Sequence, residues 1–71
     1  MRTSLITKLI GFTSEKSDEI VLAAIYALGE GAGNSSSAID RLTELSESSS
    51  HDIRVAAIKA LGRAHIRRYK S

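Results

Sequence analysis

The sequence contains no cysteine, no proline and no tryptophan, and it has one phenylalanine and two tyrosines among its 71 residues. Without cysteine, the chain has no disulfide, no thiol nucleophile and no cysteine-based zinc site. Without proline, no residue interrupts a helix by removing a backbone donor. Because aromatic residues are so few, we expect a core built from aliphatic side chains and alanine.

The chain is short, and we expect it to form one small domain over residues 1–71. A chain of this size buries only about 60% of its unfolded surface on folding, so its core is marginal. No apolar run approaches the roughly 20 residues that a membrane span requires. Lys8 interrupts the apolar residues near the start, where a secretory signal has an unbroken run. We therefore expect no membrane contact and a cytoplasmic location.

An internal repeat is the strongest signal in the sequence. The segment 19–29 matches the segment 52–62 at an offset of 33 residues. The identical pairs include Ala23/Ala56, Ala24/Ala57, Ile25/Ile58, Ala27/Ala60, Leu28/Leu61 and Gly29/Gly62. A period of this length is typical of helical solenoids, in which each unit buries its apolar face against a neighbouring unit.

The spacing of apolar residues predicts two helices in the first unit. The first runs from Thr3 to Phe12, with Thr3 or Ser4 as its N-cap residue. The second begins after Ser17, another typical N-cap residue, and contains an unbroken apolar run. We expect this helix to end at Gly29, which suits a C-terminal cap with positive φ.

Two more helices are predicted in the second unit. Helix 3 runs from about Ala38 to Leu45 behind a capping box that begins at Ser37. Helix 4 begins near His51, and it continues past Gly62 if the chain tolerates an internal glycine at a cost of about 1 kcal/mol. The offset also relates the first helices of the two units through Ile6/Ile39, Lys8/Arg41, Leu9/Leu42 and Phe12/Leu45.

The predicted fold class is therefore all-α, with two stacked antiparallel helical hairpins. The first repeat covers residues 3–30, a linker covers 31–36, the second repeat covers 37–67, and a basic tail covers 68–71.

The segment 52–62 resembles the second helix of a HEAT-like repeat. That pattern has an acidic residue, a β-branched residue, an arginine, a spacer, two alanines and then Ala-Leu-Gly, and here it begins with Asp52, Ile53 and Arg54. The resemblance implies a minimal HEAT-like α-solenoid and, usually, a binding or scaffold role. Some HEAT-like relatives are enzymes that act as bilin lyases or alkylpurine DNA glycosylases. The first repeat has Val21 in place of the arginine.

Charge is distributed unevenly along the chain. Residues 1–51 contain four Lys or Arg and seven Asp or Glu, a net charge of −3, whereas residues 52–71 contain six and one, a net charge of +5. On a helical wheel, four cations of the last helix share one side: Lys59, Arg63, Arg67 and Lys70. This basic stripe is either an electrostatic contact surface for a phosphate backbone or an acidic protein, or simply a solvated helix face.

The second helix is apolar all round, and one neighbouring hairpin cannot cover it completely. Val21 corresponds to the polar Arg54, so we expect its side chain to make an additional apolar contact, with Tyr26 close to the same surface. A homo-oligomer or a stable complex with a protein partner would satisfy this face.

Sequence features that would indicate catalysis or cofactor binding are weak. The glycines between residues 29 and 33 follow a helix instead of a strand, which argues against a phosphate-binding loop. His51 and His65 are separated by roughly 21 Å of helix, too far to share a metal. No serine lies in a nucleophile elbow. We expect no catalytic residues, no metal and no cofactor.

Three functional hypotheses follow from these observations. The first is a non-catalytic adaptor or scaffold that binds a protein partner. The second is a nucleic-acid-binding module that uses the basic stripe of the last helix. The third is a fragment or small subunit of an enzyme that contains HEAT repeats.

Overall fold

In a computed structural model, the described chain comprises residues 2–32 and 34–69, with side chains described as far as residue 65. It contains four helices: α1 (Thr3–Phe12), α2 (Asp18–Gly31), α3 (Ser36–Leu45) and α4 (His51–Tyr69). No strand occurs within these described ranges. The prediction of an all-helical chain is confirmed, and α1 has the bounds that its apolar spacing predicts.

The helix starts follow serine capping, although not always at the predicted residue. The Ser17 hydroxyl accepts a hydrogen bond from the Ile20 amide at 3.4 Å, as expected for the start of α2. In α3 the cap is Ser35, whose hydroxyl accepts from the Ala38 amide at 3.2 Å. The prediction of Ser37 was wrong, because several adjacent serines offer the same capping chemistry. α1 starts after Arg2 without a side-chain cap, so the prediction of Thr3 or Ser4 as its N-cap residue was wrong.

The second helix does not end at Gly29. It continues to Gly31, and no described glycine has a positive φ, so the predicted cap at Gly29 was wrong. Gly29 instead lies where α2 packs against α4. A Cβ atom built on Gly29 would lie 2.8 Å from both Cα and Cβ of Ala60. Cβ atoms in proteins essentially never make non-bonded contacts this short. The absence of a side chain at Gly29 therefore allows the two helices to come together.

The pairing of α2 with α4 is the most extensive contact between helices, followed by α3 with α4 and α1 with α2. Ile25, Leu28 and Leu42 are the largest fully buried side chains. The smaller residues Ala57 and Ala60 of α4 are also completely buried. The core is thus aliphatic and rich in alanine, as the composition predicts.

A polar link joins α3 to the turn after α1. The Arg41 Nε donates to the Thr13 hydroxyl at 2.8 Å, and Arg41 Nη2 donates to the Ser14 hydroxyl at 3.3 Å. Thr13 is buried, with only 4% of its surface exposed, so its hydroxyl requires a partner inside the protein. The guanidinium group therefore fixes α3 against this turn.

Substituting Gly29 tests the close approach of α2 to α4. Gly29→Ala should lower the free energy of unfolding by about 1–3 kcal/mol, because the added methyl group overpacks the contact with Ala60. Gly11→Ala is the matched control, since nothing lies within 4 Å of the position that its new methyl group would take, and alanine favours helix. Urea unfolding followed by circular dichroism measures both. Equal effects of the two substitutions would contradict the close approach.

Substituting the serines before α3 tests the observed cap. Ser35→Ala should destabilise the protein by about 0.5–2 kcal/mol, because the Ala38 amide loses its acceptor. Ser37→Ala should change stability by less than about 0.5 kcal/mol, since this side chain is exposed within the first turn of α3. Thermal unfolding of both variants provides the comparison. A larger loss in Ser37→Ala would place the cap where the sequence predicts it.

Candidate partner-binding groove

A groove of about 340 Å³ lies between α2 and α4. Its lining residues come from these two helices alone: Leu22, Ile25, Tyr26, His51, Asp52, Val55, Ala56, Lys59 and Arg63. Along each helix they recur at intervals of three or four residues, and so they share one face. The groove therefore follows directly from the packing of α2 beside α4.

The floor of this groove is apolar. Leu22 and Val55 are both half-buried, and the fully buried Ile25 closes the base between them. Tyr26 forms part of the wall and keeps 60% of its surface exposed, more than any other large apolar residue in the described chain. A concave site of a few hundred Å³ with a mostly apolar lining and a few polar groups is typical of a binding site.

Three side chains form a cluster at one end of the groove, which we name the Tyr26 cluster: Tyr26, Glu30 and Arg63. The Arg63 guanidinium carbon lies 4.5 Å from the centroid of the Tyr26 ring, within the range of a cation–π contact. Arg63 Nε lies 3.4 Å from Glu30 Oε1, an ion pair without hydrogen-bond geometry. Glu30 follows Tyr26 by one helical turn, so α2 presents both partners to the same arginine.

The basic stripe is only partly described by the structure. Lys59 is exposed and lines the groove, as a contact residue would. Arg63 also lines the groove, but its charge is offset by Glu30 within the same molecule. The side chain of Arg67, and all of Lys70 within the predicted basic tail, lie outside the described part of the chain.

Val21 does not lie on an exposed surface. Only 2% of its surface is accessible, and it belongs to the main core cluster. The expectation that Val21 provides an additional apolar contact is therefore corrected: its side chain is already covered within the chain. Because the apolar run of α2 contains no polar residue to mark the solvent-facing side, the sequence did not show which face of this helix is buried. Of the two residues predicted for apolar contact, Tyr26 is the exposed one.

Arg54, the arginine of the repeat pattern, holds the turn before its own helix. Its Nη1 donates to the Ser48 carbonyl at 3.0 Å, and its Nη2 lies 3.4 Å from His51 Nδ1. His51 also lines the groove, whereas His65 lies fourteen positions further along α4. No group of three or more potential metal-ligating side chains occurs among the residues whose positions are described.

Sequence reasoning missed several groove residues. The repeat relates Glu30 to Arg63 only as equivalent positions, and nothing in the sequence indicates that the two pair across the helices. Asp52 and Val55 stand out in the sequence only as parts of the repeat pattern. Their roles become visible only once α2 and α4 are seen to pack together.

Comparison with protein-family models, with curated proteins and with solved structures found no match to this chain. Among the helices that the structure describes, none is both long and apolar enough to cross a membrane.

A double-mutant cycle tests the Tyr26 cluster. Tyr26→Ala and Arg63→Met should show a coupling of about 0.5–1 kcal/mol in the free energy of unfolding, because each removes one side of the cation–π contact. The cycle of Tyr26→Ala with Lys8→Met, which removes an exposed cation of α1 outside the groove, is the control and should give a coupling near zero. Chemical unfolding of all the variants supplies the energies. Equal coupling in both cycles would mean that Arg63 does not contact the ring specifically.

Proposed function

We propose that this chain is a small, non-catalytic protein-binding module, built as two stacked HEAT-like helical hairpins, that holds a partner segment between α2 and α4. The 33-residue repeat supports this architecture, since the two repeated helix pairs correspond to α1 with α2 and to α3 with α4. The packing of α2 against α4 is the contact expected between the second helices of adjacent units.

The observation that best supports this proposal is that the groove has an apolar floor and both acidic and basic side chains along its rim. The half-buried Leu22 and Val55 offer a place for a large apolar side chain, which gains free energy when it leaves water. The exposed Lys59 also lines the groove, and its positive charge favours an acidic group on the partner. The proposed partner is therefore a protein segment that presents a large apolar side chain next to an acidic residue.

The rim charges favour protein over nucleic acid as the partner. A phosphate backbone binds through uncompensated cations, whose contacts release counterions. Here Asp52 lies in the groove lining, and Glu30 pairs with Arg63. Asp52 would repel a phosphate chain that entered the groove, and the pairing with Glu30 leaves Arg63 without uncompensated charge. A protein segment can instead present both signs of charge to these groups.

The proposal can be tested with peptides selected from a displayed library on the wild-type chain. We expect the selected peptides to combine a large apolar residue with a nearby acidic residue. Lys59→Glu should weaken their binding about tenfold or more, because it places like charges together. Lys8→Glu makes the same change of charge on an exposed site of α1 and should leave affinity unchanged. Isothermal titration calorimetry provides the dissociation constants.

Two results would contradict this proposal. Equal losses in Lys59→Glu and Lys8→Glu would mean that only net charge matters to binding. Binding of mixed-sequence oligonucleotides that is tighter than peptide binding, and that falls by orders of magnitude between about 50 and 200 mM salt, would favour the nucleic-acid alternative.

A further inference from the structure

Where α2 packs on α4, one face of α2 meets a different face of α4. Because the two helices are repeats of each other, each helix also carries residues equivalent to the face that its partner uses. On α2 the contact includes Ile25, which is 0% exposed, and Gly29, which is buried against Ala60. The equivalent residues of α4 are Ile58 and Gly62, at the same offset of 33 residues. We call the α2–α4 contact the junction.

These equivalent residues of α4 are uncovered. Ile58 is 58% exposed, and nothing lies within 4 Å of a Cβ atom built on Gly62. Leu61, the equivalent of the fully buried Leu28, is only half-buried. We name these three residues the α4 end face. It has the same residue types as the α2 side of the junction, but no second helix covers it.

The other half of the junction is also repeated. On α4 it includes Ile53, Ala56 and Ala60, and the equivalent residues of α2 are Ile20, Ala23 and Ala27. Ile20 is 43% exposed, Ala23 is exposed, and Ala27 is half-buried although Ala60 is completely buried. We name Ile20, Ala23 and Ala27 the α2 end face. It is the matching half, on the opposite side of the molecule from the α4 end face.

The first helix extends this pattern. Leu5 and Phe12 of α1 are 45% and 41% exposed. Their equivalents in α3 are Ala38, which is 0% exposed, and Leu45, which is 8% exposed. Leu5 and Phe12 are therefore exposed in the first repeat, although the residues at the equivalent positions of the second repeat are buried.

We propose that the α4 end face of one copy of this chain packs on the α2 end face of a second copy, head to tail, and reproduces the junction between chains. In this contact Gly62 of one copy lies against Ala27 of the next, as Gly29 lies against Ala60 within the chain. Because the two faces differ, a dimer leaves one of each uncovered, and further copies can add to it.

The repeat favours this orientation over a symmetric one. Each end face has the side chains of one half of the junction, so a head-to-tail contact pairs the two halves as the chain itself pairs them. A symmetric contact between two α4 end faces would instead pair two copies of the same half, an arrangement that the junction does not contain. The contact does not involve the groove, so it holds or fails independently of the proposed function.

Glycine substitution tests the predicted contact at Gly62. The wild-type chain should show a weight-average sedimentation coefficient that rises with concentration beyond the value for a dimer. Gly62→Ala should weaken association about tenfold, or about 1.4 kcal/mol, because its methyl group meets Ala27 of the next copy. Gly11→Ala, which is equally open in the single chain, should leave association unchanged. Circular dichroism should show that both variants keep their helix content.

A pair of blocked variants tests the head-to-tail orientation. Ile20→Lys blocks the α2 end face, Ile58→Lys blocks the α4 end face, and each variant alone should be monomeric. An equal mixture should form a one-to-one dimer that grows no further, because each variant supplies the face that the other lacks. Self-association of either variant alone would indicate a symmetric contact and overturn the proposal. A wild-type chain that stays monomeric at every concentration, or a mixture without the dimer, would also overturn it.

Discussion

The close approach of α2 to α4 is the constraint on which the other features of this structure depend. It requires that Gly29 have no side chain and that Ala60 have a small one, because their atoms already meet at the limit of contact. A larger residue at either position would separate the helices and open the aliphatic core between them. The groove is a consequence of the same approach, since Tyr26 and Arg63 meet across the helices only at this distance. Architecture and candidate site therefore rest on one contact between small residues.

Much of the fold could be predicted from the internal repeat and the helical spacing of apolar residues. Both signals depend on long segments, and for that reason the four helices of the described chain and the bounds of α1 agree with expectation. Caps depend on single residues, and although Ser17 was predicted correctly, prediction failed for the end of α2 and for the cap of α3. Gly29 has the chemistry of a terminal cap and also that of a close helix contact, and only the neighbouring Ala60 decides between them. Ser35 and Ser37 are similarly indistinguishable without the path of the backbone.

The candidate site could be predicted only in part. Periodicity identified Lys59 and Arg63 as neighbours on one face of α4, and the structure places both in the groove. Periodicity within one helix could not show that Glu30 offsets the charge of Arg63, because the two residues lie on different helices. It misplaced Val21 because an apolar run has no polar face to mark the solvent side. Contacts between helices thus decided which of the predicted residues are exposed and which carry uncompensated charge.

The two repeats differ in which of their equivalent positions are identical. At the junction the equivalent residues are identical, as in Ile25/Ile58 and Gly29/Gly62. Among the residues that line the groove, those outside the junction differ, as in Leu22/Val55 and Tyr26/Lys59, whereas Ile25 and Ala56 belong to both surfaces and have identical equivalents. A face that met only water would tolerate substitution at Ile58 and Gly62, because neither contributes to the covered core. Their identity with the buried residues is what a packing requirement on both faces would produce. The positions that line the groove without belonging to the junction are free of that requirement, so their side chains can differ between the repeats.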